Sequence, residues 1–158
     1  MNKKNKNTNS GFTLIELIVV VAIIAVLAAS IISFINPFEI QKNSRDSIRV
    51  SNLNSLAQAL ELYFAQNKSY PAGSSNKLVP DEITALKNFN SRFEVSDPSG
   101  CEVYYKKTTA GGYLAYLPLE SANFTIPQGQ SLLSIINKPS DYACGAVTFT
   151  KVIKLEIK

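Results

Sequence analysis

Between Phe12 and Ile35 the chain runs through 24 consecutive positions at which only Thr13, Glu16, Ser30 and Ser33 carry polar side chains. At a 1.5 Å rise, a helix of that length reaches about 36 Å, more than the roughly 30 Å hydrocarbon core of a bilayer. The run therefore predicts a membrane-spanning helix. Asn36-Pro37 interrupts it, because proline offers no backbone donor and crowds the carbonyl of Ser33; a kink or local break is expected. The period then changes. Leu53, Leu56, Leu60 and Tyr63/Phe64 recur at three- and four-residue spacing with Ile48 one turn earlier, while Arg45, Asp46, Arg49, Asn52, Gln58 and Glu61 supply polar positions between them. This is the pattern of an amphipathic helix from about Glu39 to Gln66, closed by Asn67-Lys68-Ser69-Tyr70-Pro71.

Beyond Pro71 a polar loop from Ala72 to Lys77 precedes a short helix predicted over Pro80 to Asn88, opened by Pro80 and Asp81. From Cys101 the pattern turns to strands. "CEVYYKKTTAGGYLAYLPLE" carries β-branched and aromatic runs on either side of Gly111-Gly112, a hairpin signal, and Tyr113, Ala115 and Leu117 would share one face. Near the C-terminus Ile153, Leu155 and Ile157 alternate with Lys154, Glu156 and Lys158. That predicts a strand with one solvated face, whose charges would guard a sheet edge. Tyr104, Tyr105, Tyr113 and Tyr116 could form an aromatic binding platform, but a half-buried sheet packed on the helix is the favoured reading. The expected fold class is α+β: a long N-terminal helix, transmembrane then amphipathic, packed on a small antiparallel sheet of three or four strands.

Composition narrows the function. The sequence pI is about 9.0 and the formal net charge is +4, but Lys3, Lys4 and Lys6 supply three of those charges. From Phe12 onward the balance is 4 − 3 = +1, which disfavours direct nucleic-acid capture. The chain has no histidine, the commonest general base and metal ligand, and its glycines are scattered. Neither catalytic triads nor phosphate loops are supported, so no enzyme and no cofactor are expected. Two isolated cysteines, Cys101 and Cys144, cannot make a structural zinc site. Outside the cytoplasm they would pair, closing a loop whose 42 enclosed residues correspond to about 4 kcal/mol of stabilisation; two buried free thiols are the alternative. After Leu119 the only acids are Glu120, Asp141 and Glu156, too widely separated for a calcium site. The triplets at Asn67 and Asn123 fit the glycosylation sequon, which arises often by chance.

Lys3, Lys4 and Lys6 lie just before the oily run, so the positive-inside rule places Met1 in the cytoplasm and the later residues outside. A cleavable secretory signal, with Val26-Leu27-Ala28 as its processing site, is one competitor, but its apolar region would be shorter and would not open on a carboxylate. A plain signal anchor is another. Glu16 separates these readings. An ionised carboxylate deep in a membrane costs on the order of 2.5–3.5 kcal/mol, and even about 6 Å into the run a simple anchor gains nothing from it. If the chain is cut between Gly11 and Phe12, a new α-amino group appears, largely charged at neutral pH. Burying that cation among packed helices demands an anion, and Glu16 is the only one in the run. A pair shared between neighbouring subunits would also fix their axial register.

"GFTLIELIVVVAIIAVLA", with its basic leader from Lys3, resembles the class III signal sequence of type IV pilins and type II secretion pseudopilins. A looser similarity to the same proteins extends over "RDSIRVSNLNSLAQALELYFAQNKSYP", where an Ala-Leu-Glu-Leu-Tyr helix ends at Tyr-Pro. The resemblance implies that Gly11 is the last leader residue, that Phe12 becomes the first mature residue and is N-methylated, and that Glu16 is the assembly glutamate. It divides the chain into a cytoplasmic leader (1–11, removed), a transmembrane assembly helix (12–35), the amphipathic half of the stalk helix (36–70) and a globular head (71–158). The partners it implies are prepilin peptidase, further copies of the chain and other pilin-like subunits, an inner-membrane assembly platform with its ATP-driven machine, and membrane lipid. Before assembly the chain would be a single-pass cytoplasmic-membrane protein with an extracytoplasmic head; afterwards it would be part of a cell-surface or periplasmic fibre. Some relatives hold calcium in a C-terminal loop, which this sequence does not support, and fourteen residues follow Cys144, so the likeness to pilins with a C-terminal disulfide is partial. A surface pilus for adhesion or motility, a secretion pseudopilus and a DNA-uptake pilus all remain open. The alternative from another class is a monomeric membrane-tethered binding module.

Overall fold

The computed structural model describes residues 11–144 and 148–157. The lysines of the basic leader and the last position of the C-terminal alternation, Lys158, lie outside the described residues. The chain divides at Pro37–Phe38 into two compact units. In the first, α1 (Leu14–Phe34) is helical from end to end. It stops where Ile35 turns extended (φ −98°, ψ 126°), and Pro37 opens the next helix, α2 (Pro37–Asn67), where its missing N–H costs nothing.

In the second unit α2 is followed by α3 (Pro80–Phe89) and four strands: β1 (Tyr104–Lys107), β2 (Tyr113–Leu119), β3 (Leu133–Asn137) and β4 (Lys151–Ile157). The strands form one antiparallel sheet in the order β1-β2-β4-β3. The architecture is thus α+β and pilin-like, with a long apolar N-terminal helix, a second helix and a small four-stranded sheet. Thr108 to Gly112 link β1 to β2. Gly111 adopts φ +92° there, which an L side chain resists, and Thr108 closes the turn by accepting from Gly111 N–H at 3.1 Å.

One face of α2 builds the core. Val50, Leu53, Leu56, Ala57, Ala59 and Leu60 are buried against Tyr105, Tyr113, Ala115, Leu117, Ile153 and Leu155 of the sheet. Ile48, assigned above to the same stripe, is instead 51% exposed. Five residues before Leu53, at 100° per residue, it lies about 140° round the helix from the core line. The positions on that line are Asp46 and Arg49, which with Asn52 are buried rather than solvated.

The sheet also departs from expectation. β4 is an inner strand, because the uncharged segment Leu133–Asn137 pairs along its far side; Lys154 and Glu156 therefore guard no edge. The second face is solvated only in part: Lys106 and Ser134 are exposed and Lys154 and Glu156 half-buried, but its other end is covered. There Tyr142 and Phe149 pack on Tyr104, Tyr116 and Val152 and bury them. The four tyrosines of the hairpin thereby divide two to a face. Tyr105 and Tyr113 join the core under α2, and Tyr104 and Tyr116 join the second cluster, so no aromatic platform is presented.

Cys101 and Cys144 are joined, with Cα atoms 5.4 Å apart, and the bond ties the segment before β1 to the one that carries Tyr142. A Cys101→Ser, Cys144→Ser variant is expected to lose about 4 kcal/mol in urea unfolding. An unchanged midpoint would mean that packing of Tyr142 and Phe149 closes this loop without the bond.

Candidate processing and assembly site

The first turn of α1 is held by its own side chains. Thr13 takes extended dihedrals (φ −82°, ψ 151°) and caps the helix, its Oγ1 accepting from Glu16 N–H at 3.3 Å. Glu16 reaches back: its Oε2 accepts from Thr13 N–H at 2.9 Å and from Thr13 Oγ1 at 2.8 Å. This reciprocal arrangement satisfies backbone donors that a helix start otherwise leaves open. It also places an anion where the helix macrodipole is positive. Thr13-Leu14-Ile15-Glu16 spells the capping-box pattern of Ser or Thr followed three residues later by Glu or Gln, so this second duty of Glu16 was readable from the sequence and went unread. Both bonds fall on Oε2; Oε1 takes no hydrogen bond among the described residues.

Gly11 and Phe12 precede the helix, and Phe12 is 85% exposed. Among the described residues a Cβ on Gly11 would meet nothing within 4 Å. Nothing among the described residues demands a glycine at position 11. From Leu14 to Ile32 the helix is long and apolar enough to cross a membrane, and none of that stretch is buried. Its one hydroxyl described in detail, Ser30, donates to Val26 O at 3.0 Å and so presents no open donor to lipid. A helix apolar on every side, with no protein cover, requires lipid or other helices around it.

The head holds a polar cluster that sequence reasoning missed. Arg49 is fully buried. Its Nη1 donates to Asp46 Oδ1 at 2.6 Å, Nε to Asp97 Oδ2 at 2.5 Å, and Nη2 to Ser99 Oγ at 2.8 Å and to Glu120. Arg45 adds a fork onto Glu120, at 2.5 and 3.0 Å to Oε2. Asp46 also accepts from Ser121 N–H at 2.8 Å, and Asp97 accepts from Ser99 and Cys101 N–H at 2.8 and 2.7 Å. Burial works to raise the Glu120 carboxyl, but hydrogen bonds from Arg45, Arg49 and Ser99 outweigh it and hold the group down at about 2. Burial likewise opposes the charge on Arg49, while bonds to Glu120, Asp46 and Asp97 raise its pKa. The cluster fastens α2 to the turn before Cys101 and to the end of β2. Its only sequence signal was charge at core-phase positions of a helix.

The structure joins Glu16 to Thr13 and Cys101 to Cys144. Neither pairing involves Gly11 or Phe12. No curated protein and no solved structure matches the chain. A family model described as the prokaryotic N-terminal methylation motif matches residues 6–32, a stretch that ends before the head begins. Over those residues, from the basic leader through the capped glutamate and along the apolar helix, the chain carries the motif that forms the class III signal of type IV pilins and pseudopilins.

Proposed function

We propose that the chain is a structural subunit of a type IV pilus or pseudopilus, anchored by α1, cut between Gly11 and Phe12, N-methylated at Phe12 and polymerised into a helical fibre. The observation that carries this reading is a single carboxylate in the first turn of a helix with no other charge, five residues after a glycine that nothing among the described residues requires. A glycine with open space around it lets a partner approach the backbone closely, the access that prepilin peptidase needs at the Gly11–Phe12 bond. Cleavage turns the Phe12 amide into an amine, and methylation keeps its charge. With Oε2 already engaged by Thr13, Oε1 of Glu16 is the acceptor for that cation, on the same chain or a neighbour.

Assembly then follows from the helix surface. Subunits wait with α1 in lipid and the head outside, and an assembly platform lifts them into a bundle where apolar α1 surface packs against copies of itself. Lipid tails are as apolar as leucine, so transfer into the bundle gains from packing and from the Glu16 pair, not from escaping water. The intact mass of the chain from a peptidase-positive cell checks the processing step. The expected species begins at methylated Phe12, and Gly11→Ala is expected to accumulate the uncut precursor. Recovery of a wild-type chain that still carries residues 1–11 overturns the reading. Equal processing of Gly11→Ala favours a tethered binding module, which has no use for that glycine.

A further inference from the structure

The first two turns of α2 lie between the predicted span and the packed head. No residue from Pro37 to Arg45 is buried, although Glu39 accepts from Ser121 Oγ at 3.3 Å and Arg45 reaches Glu120; fully buried positions begin at Asp46. Within this stretch Phe38 is 72% and Ile40 57% exposed. They stand about 200° apart round the helix, so the opening of α2 is apolar on two sides, not along one flank. The charges present are paired: Lys42 Nζ lies 2.8 Å from Glu39 Oε1, and Arg45 forks onto Glu120. Scattered exposed apolar side chains are ordinary on a protein surface; two on one helix opening that follows directly on a membrane span are not scattered.

Lipid is the occupant that chain connectivity favours. The span Leu14–Ile32 is 19 residues, about 28 Å of helix, which consumes the hydrocarbon core and brings Ile32 to its outer boundary. Phe38 is six residues further, within about 21 Å of Ile32 even for a fully extended chain. Next to the hydrocarbon lies an interfacial layer that accepts aromatic rings and a neutral ion pair. We infer that the N-terminal opening of α2, through Phe38 and Ile40, is a second membrane contact: an interfacial foot that rests in the outer headgroup layer. The foot limits how far α1 can slide outward and so keeps Glu16 near the cytoplasmic boundary, where a carboxylate reaches headgroups. The inference rests on α1 being a membrane anchor, as proposed above, and is independent of cleavage and fibre formation.

The chain contains no tryptophan, so single Trp probes report cleanly. The full-length precursor carrying Phe38→Trp, Ile24→Trp or Leu132→Trp is reconstituted in phosphatidylcholine vesicles whose acyl chains are brominated either near the headgroup or near the terminal methyl. Leu132 serves as the dry-land control: it is 44% exposed and lines a hollow with Asn54 and Gln58, about 24 Å along α2 from Phe38. Phe38→Trp is expected to lose roughly half its emission to the shallow bromines and less to the deep ones. Ile24→Trp should show the opposite order, and Leu132→Trp should respond to neither. Ile40→Trp repeats the measurement should the first substitution disturb the helix. If both foot probes behave like Leu132→Trp while Ile24→Trp is quenched, the foot is overturned and the anchor stands; a blue-shifted but unquenched Phe38→Trp assigns the surface to protein and equally overturns it. Loss of quenching at Ile24→Trp removes the anchor and the foot together.

Discussion

Glu16→Gln is expected to insert into the membrane at least as well as the native chain and to be excluded from fibres. Removing a charge from an apolar helix can only ease insertion. Glutamine still serves the reciprocal cap, because its side-chain oxygen accepts from Thr13 N–H as the carboxylate does, at 2.9 Å in the native chain. What disappears is the anion that, in the proposed assembly, faces the amine of Phe12. Breaking one partner of a buried pair costs about 3–5 kcal/mol, so subunit affinity within the bundle should fall by about a hundredfold or more. Thr13→Ala is the complementary variant: it removes the cap, for about 1 kcal/mol, but leaves the charge, and should assemble. Fibre yield in a cell with functional peptidase, normalised to membrane-inserted subunit, gives the readout. Normal fibres from Glu16→Gln would strip the carboxylate of its assembly role and leave it as a helix cap.

Arg49→Met should cripple the head. The side chains are of similar length, but methionine leaves Asp46 and Asp97 buried without their cation and takes a partner from Glu120. The expected loss is about 3–5 kcal/mol, a large share of the stability of a domain this size. Acid should act on the same cluster. The Glu120 carboxyl sits at about 2 when folded against an ordinary 4.5. Below its ordinary pKa the unfolded chain binds the proton that the folded chain refuses. The resulting contribution, on the order of 3 kcal/mol, is therefore complete above about pH 5 and is lost as pH falls from there through 2. Urea midpoints of the unit beginning at Phe38, taken between pH 7 and pH 3, should show that decline in the native head and a flatter profile in Arg49→Met. An Arg49→Met head as stable as the native one would mean that water or rearranged carboxylates satisfy the cluster.

Sequence reasoning and tertiary structure divided the work along a physical line. The apolar run, the proline that breaks it, the core line of α2 through Leu53, Leu56 and Leu60, and the hairpin around Gly111 were all legible, because each depends on periodicity or on a local backbone preference. The capping box was legible too, being a matter of spacing alone. The Gly-Phe-Thr-Leu-Ile-Glu signal needed no tertiary structure, since the proposed peptidase would meet Gly11 and Phe12 just ahead of the helix that begins at Leu14. What only the tertiary structure decided is long-range. Asp46 and Arg49 of α2, Asp97 and Glu120 come from three segments, and nothing local tells a charged residue that a partner fifty or seventy positions away will make its burial tolerable. Strand order is likewise non-local: the alternation in Ile153, Leu155 and Ile157 specified which side chains face the core, but not that Leu133–Asn137 would flank them or that Tyr142 and Phe149 would fold back over the other face. Periodicity records which way a side chain points, and the energy of what meets it there belongs to contacts that exist only once the chain has closed on itself.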